Sequence, residues 1–188
     1  MDRLLTTIKQ HRLFWLTLFV GLVLDLGSKV WAEGNFQPEG WTVGDPTPVH
    51  SIIEGFLAWK WAGNLGAAFS MMAGKVVLLA SLGIVILAGL IWYAHSLPPT
   101  DKLSAVTLGL IGSGAVGNLW DRITFGYVRD FIYFDFDLPF HEAVSFIPRR
   151  YPVFNVADIW IIVGAVLLVI TVQIEANRQK AAEEALQD

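Results

Sequence analysis

Two aspartates are the residues of this sequence best placed to do chemistry. Asp130 follows Gly126-Tyr127-Val128-Arg129, and Asp158 follows Phe154-Asn155-Val156-Ala157 where a long apolar run begins. Ionisable groups at the edge of a bilayer are expensive unless something uses them. Two carboxylates held close together cannot both ionise easily, so the pair keeps one proton at working pH. The ionised member can take a proton from water. The protonated member can polarise a scissile carbonyl and later protonate the leaving amine. That is the arrangement of an aspartic protease. The competing reading is structural, with each Asp capping a helix or pairing with an Arg. Asn155 and Asp158 have the spacing of an N-cap residue and an acidic third helical residue. Both readings can hold at once.

Other polar residues recur at helical spacing. Asn118 and Arg122 are four apart and share a helix face, with Asp121 beside them. A guanidinium there can hold a peptide carbonyl or fix one Asp in place. Its bland alternative is an Arg snorkelling at a helix end. Asp25 and Lys29 are also four apart, and the simplest reading is an ion pair that lowers the cost of charge in lipid. The stretch Asn64-Leu65-Gly66-Ala67-Ala68-Phe69 reads by itself as a turn and a helix start. Asp135, Asp137 and Glu142 offer oxygen ligands, but too few for a hard-cation site. His11, His50, His95 and His141 are dispersed, and the common nucleotide-binding and hydrolase motifs are missing. No metal and no cofactor are expected.

The elements that must position these groups are membrane helices. Of 188 residues, 54% are hydrophobic and only 16% charged, and mean hydropathy is +0.53. Soluble domains carry about a quarter charged residues. Eight Trp and twelve Phe suit interfacial aromatic belts. A net charge of −4 argues against a nucleic-acid partner. With no Cys, disulfides and thiolate chemistry are excluded. A spanning helix needs about 20 mostly apolar residues. Four runs qualify, at about 13–32, 76–94, 103–120 and 153–174, which makes residues 1–188 a single integral-membrane domain. The third run is rich in small residues, from Gly109 to Gly117, which let helix backbones approach closely in lipid. Between the runs lie two extramembrane segments, 33–75 and 123–152. Alternation from Phe56 to Trp61 predicts short strands in the first. The aromatic second segment reads as lying on the bilayer surface.

Four spans put both termini on one side. Basic residues occur on both sides, but the cluster Arg3, Lys9 and Arg12 before the first run favours cytoplasmic termini. That cluster and the run ending Val30-Trp31-Ala32 also outline a secretory signal peptide. Asp25 and Lys29 fall where such a peptide stays apolar, which disfavours that reading.

Taken together, the blocks Asp25-Leu26-Gly27-Ser28-Lys29, Asn64 to Phe69, Gly114 to Arg122, Gly126 to Phe131, and Phe154 to Asp158 with Gly164 resemble the bacterial lipoprotein signal peptidase (signal peptidase II) family. The resemblance runs from about residue 13 to 174. It implies Asp130 and Asp158 as the catalytic pair, and Asn64, Gly66, Asn118, Arg122 and Asn155 as residues that shape the substrate site. Asp25, Lys29 and Asp121 would be structural support. It further implies an extramembrane β-sheet cradle and an interfacial helix, within 33–75 and 123–152. The partners would be diacylglyceryl-modified prolipoproteins and membrane lipids, and the protein a monomer in the bacterial inner membrane. Departures from the family pattern are Leu26 for the usual Gln, Ser113 for a common Gly, Arg129 for an apolar residue, and longer extramembrane segments. Arg129 is the departure expected to alter the titration of Asp130 or the choice of substrate.

The expectation is therefore a mainly α membrane aspartic endopeptidase. The alternative is a small transporter or proton-relay protein, since intramembrane carboxylates also suit that role. A relay needs polar groups through the membrane depth, whereas the interiors of 76–94 and 159–172 have almost none.

Overall fold

A computed structural model of the chain describes residues 11–66, 76–139, 142 and 148–185. In chain order the elements are α1 (Arg12–Phe36), β1 (His50–Ile53), β2 (Leu57–Asn64), α2 (Val76–Ser96), α3 (Lys102–Phe125), β3 (Val128–Phe134) and α4 (Val156–Ala185). All four helices are long and apolar enough to cross a membrane. Their outer faces are bare hydrocarbon, with Val77 81% and Trp92 74% exposed. Such exposure is costly in water and costs nothing in lipid tails.

Helix α3 is the hub, packing against α1, α2 and α4. Its buried stripe is mostly small or polar: Thr107, Gly109, Gly112, Ser113, Gly114, Gly117, Asn118 and Asp121. A side chain at Gly117 would collide with the Asp25 carboxylate, so the missing Cβ there is what lets a charged residue of α1 lie against α3. Asp101 starts α3 by accepting from the Ser104 N–H at 3.1 Å. Gly126, at φ 79°, ends it in the left-handed region that glycine adopts freely, and the chain turns into β3.

The three strands form an antiparallel sheet in the order β1-β2-β3. Ala62 lies opposite Asp130 and Asn64 opposite Val128, with a register shift between Trp59 and Ala62. Bulges of this kind re-aim side chains beside functional sites. The sheet is seated on the C-terminal end of α1 by a cluster of Ala32, Trp61 and Phe131, with Phe36, Trp41, Trp59 and Val156 packed round it. A second apolar cluster, Phe14, Ala94 and Leu108, closes the opposite end of the bundle.

The strands expected near Phe56–Trp61 are present as β2 and its partners. In the second segment, Val128–Phe134 is a strand whose first four residues are buried, part of the small sheet that the resemblance implied. The reason is the available partner: β2 offers an unpaired edge, and the run Val-Arg-Asp-Phe-Ile-Tyr-Phe has strand composition. Within 33–75 and 123–152 no interfacial helix occurs among the described residues, and residues 67–75, 140–141 and 143–147 lie outside them.

Candidate active site

Strand β3 and the first turn of α4 bring the two aspartates together at one end of the bundle. Asp130 is 1% exposed. Its Oδ1 accepts from Asn155 Nδ2 at 2.6 Å, and its Oδ2 from Asn64 Nδ2 at 3.0 Å. Asn64 reaches it diagonally across the β2–β3 ladder, where i and j±2 side chains on one face can touch. Burial, and then the charge of Asp158, push the Asp130 carboxyl well above the usual carboxylate range.

Asp158 sits in the first turn of α4 and is half-buried. Its Oδ1 accepts from Asn118 Nδ2 at 2.9 Å and its Oδ2 from the Asn155 N–H at 3.2 Å. Asn155 Oδ1 in turn accepts from the Asp158 N–H at 3.1 Å. The cap reading and the site reading of Asn155 and Asp158 thus coexist. Asn155 is also the shared hinge of the pair, since its side chain holds Asp130 and its backbone holds Asp158.

Behind the carboxylates lies a buried ionic core. Lys29 Nζ contacts Asp25 Oδ2 at 2.9 Å and Asp121 Oδ2 at 3.3 Å, all three side chains fully buried. It also donates to Asn118 Oδ1 at 3.0 Å. With its oxygen held by Lys29, the Asn118 amide can present only its NH₂ to Asp158. The i,i+4 ion pair expected of Asp25 and Lys29 therefore forms, but it is tied into the site rather than isolated. Asp25 Oδ1 also accepts the Ala157 N–H at 2.9 Å, which pins the start of α4.

Arg122 binds neither aspartate. Its Nη2 donates to the Gly66 carbonyl at 2.9 Å and its Nη1 to the Asn118 carbonyl at 3.2 Å. The Gly66 N–H donates to Asn64 Oδ1 at 2.9 Å, so Arg122 braces the turn that aims Asn64 at Asp130. Arg129 does not face Asp130, because consecutive strand residues point to opposite faces. It turns instead to Asp121 and Glu33, at 2.8 Å from each. Asp135 and Asp137 are ion-paired with Arg149 and Arg150.

Beside Asp158 opens a cavity of about 380 Å³ with almost wholly apolar walls. Leu57, Ile132 and Phe134 of the sheet line it, with Phe154 and then Ile159, Ile162 and Val163 of α4.

The family model for signal peptidase (SPase) II matches residues 17–174. The chain belongs to the signal peptidase II family. The lipoprotein signal peptidase of Desulfitobacterium hafniense is 36% identical over 172 residues, covering 91% of this chain and 99% of that one. That of Clostridium novyi is 36% identical over 155 residues, covering 82% and 93%. A solved bacterial membrane enzyme shares the fold at a TM-score of 0.69, with 24% identity over 88% of this chain and 90% of that one. The transporter or proton-relay alternative is not favoured.

The candidate site contains one participant that sequence reasoning passed over. Glu33 was not singled out, although Asp25, Lys29 and Glu33 recur every four residues and must share one face of α1. Gly66, expected from the resemblance to shape the site, enters it through its backbone carbonyl, which accepts from Arg122.

Proposed function

We propose that the protein, a single integral-membrane domain, removes signal peptides from prolipoproteins by aspartic catalysis, cutting before a diacylglyceryl-modified Cys. The observation that carries this reading is the bridging of Asp130 and Asp158 by Asn155 beside an apolar cavity. Asp130, buried and with its carboxyl pushed up, holds the shared proton. Asp158, less buried and nearer the cavity, carries the charge. Asp158 takes a proton from a water as that water attacks the scissile carbonyl, while Asp130 protonates the carbonyl oxygen. When the diol collapses, Asp130 recovers its proton from the diol hydroxyl. The proton on Asp158 passes to the leaving amine, which restores the pair. Asn64, Asn118, Asn155 and Arg122 keep the two carboxyls at a fixed separation, and pre-organisation of this kind costs nothing at the moment of reaction.

Substrate enters sideways from the lipid, and the apolar cavity receives part of its hydrocarbon. The protein acts as a monomer in the bacterial inner membrane with cytoplasmic termini and the sheet on the far side. The test is a cleavage assay on a diacylated lipopeptide, native against Asp158→Asn. Loss of cleavage by the folded variant supports the reading, and near-native turnover removes it.

A further inference from the structure

Five charged side chains alternate in sign across the back of the site: Asp25, Lys29, Asp121, Arg129 and Glu33. Arg129 is the member that touches β3, and it is tied at every group it has. Its guanidinium grips Asp121 Oδ1 through Nε at 3.2 Å and Nη2 at 2.8 Å. Nη1 reaches Glu33 Oε2 at 2.8 Å, and the group lies 4.3 Å from the centre of the Phe125 ring. Its backbone N–H donates to Asp121 Oδ2 at 3.0 Å, and its carbonyl accepts from Asn155 Nδ2 at 3.3 Å. The next residue in the chain is Asp130.

We infer that Arg129 is a positioning residue, clamped between Glu33 of α1 and Asp121 of α3 so that β3 holds Asp130 in register with Asp158. The inference rests on the aspartic reading above. The sheet itself does not fix that height. β3 is paired with β2 and meets the segment leading into α4 through the bridge of Ile132 and Phe154 and the Asn155 side chain, a short contact along which a small slide of β3 would separate the carboxyls. The Arg129 fork resists the slide because it binds two helices in fixed directions, which a point-charge Lys cannot do. Glu33 is its outer arm, with a side chain 35% exposed. Removing that charge therefore loosens the clamp without stranding a deeply buried ion.

The test uses the full chain purified in detergent and a diacylglyceryl lipopeptide. Glu33→Gln is expected to lower kcat about tenfold and Arg129→Leu about a hundredfold, the scale of a misplacement of about 1 Å. KM should change less than kcat in both, since Leu57 of β2 and Ile159, Ile162 and Val163 of α4 stay in the cavity wall even if Ile132 and Phe134 move with β3. Arg129→Lys, which keeps the cation but loses the fork, should fall between native and Arg129→Leu. The melting midpoint of Glu33→Gln should lie within about 2 °C of native. Native-like kcat in Glu33→Gln, or in a folded Arg129→Leu, overturns the inference. So does a loss of rate in Glu33→Gln that merely tracks a loss of folded protein. Should Arg129→Leu not fold, Glu33→Gln decides alone. Asp130→Asn, assayed alongside, separates the two ideas: near-native turnover there removes the aspartic reading, whereas an inactive Asp130→Asn with a fully active Glu33→Gln removes only the clamp.

Discussion

Asn155 and Asp158 hold each other twice, through the Asp158 N–H on Asn155 Oδ1 at 3.1 Å and the Asn155 N–H on Asp158 Oδ2 at 3.2 Å. This is a reciprocal cap like the capping box, with Asp in the place of Glu. The atoms that start α4 are also the atoms that orient a proposed catalytic carboxylate.

Asn155→Ala should therefore damage stability and rate together. Loss of the N-cap costs about 1 kcal/mol, read as a lower melting midpoint in detergent. Loss of the 2.6 Å bond to Asp130 frees that carboxyl to move, and kcat should drop on the order of a hundredfold. Asn155→Ser restores a cap but cannot bridge to Asp130. It should recover the midpoint and leave the rate low. Recovery of both by Ser would mean that the residue matters only as a cap.

Asp130 gives a pH prediction with a definite sign. Its carboxyl is pushed well above the ordinary 3.8 by burial and by Asp158, so the folded state binds this proton more tightly than the unfolded chain does. The stabilisation is present at low pH and is lost as pH rises from about 3.8 through the folded value. Asp130→Asn should flatten that limb when melting midpoints are measured against pH, while Asp158→Asn should abolish cleavage and leave the protein folded. Activity should also fall on the alkaline side as Asp130 loses its proton. An Asp130→Asn midpoint profile parallel to native would contradict the assignment of the proton.

Much of this was legible in the sequence because the signals are local. Apolar runs of membrane length mark α1 to α4, alternation marks β2, and the small-residue run marks α3 as the packed hub. The Asn155–Asp158 spacing marks a cap. What was not legible is which partner a charged residue chooses. Arg129 looked like a neighbour of Asp130 along the chain, but strand alternation sends it to Asp121 and Glu33. That Val128–Phe134 pairs as a strand is not legible in its aromatic content alone. The open edge of β2, far away in sequence, makes it one.

Lys29 is expected to be the least replaceable of the ionic core. It alone contacts both Asp25 and Asp121, and removing one partner of a buried ion pair costs about 3–5 kcal/mol because the other charge is stranded. Lys29→Met should accumulate poorly and melt early. Adding Asp25→Asn should recover part of the loss. Its amide oxygen can still accept the Ala157 N–H that Asp25 now binds at 2.9 Å. A double variant no better than the single one would show that the carboxylate was not the stranded group.

Topology can be read directly, because the chain has no native Cys. Single Cys replacements at Glu54, in the β1–β2 turn, and at Thr100, in the α2–α3 turn, should label from opposite faces of sealed vesicles. The Thr100 site should react from the cytoplasmic face. Labelling of both from one face would contradict the four-span arrangement, and a reversed pattern would contradict cytoplasmic termini.

The cavity beside Asp158 should make lipid on the substrate matter. Its walls are mostly apolar, with Leu57, Ile132, Phe134, Phe154, Ile159, Ile162 and Val163 beside Tyr151 and Asp158, so an unmodified peptide leaves apolar surface unfilled. Each CH₂ of an acyl chain buried in apolar surroundings contributes about 0.8 kcal/mol. An anchored substrate also arrives with part of its positioning entropy already lost to the membrane. The specificity constant should therefore fall by orders of magnitude for the same peptide without its diacylglyceryl group, measured in the same nanodisc. Filling the cavity should mimic that loss from the enzyme's side. Ile162 is half-exposed in it, and Ile162→Trp should raise KM for the lipidated substrate while changing kcat little, since the carboxylate bridge through Asn155 is not touched. It should leave the poor constant of the unlipidated peptide nearly unchanged, because that peptide has nothing to put there. Equal constants for the two substrates in the native protein would mean that the pocket reads peptide sequence alone. A lower kcat with unchanged KM in Ile162→Trp would instead place the cavity on the path of the attacking water.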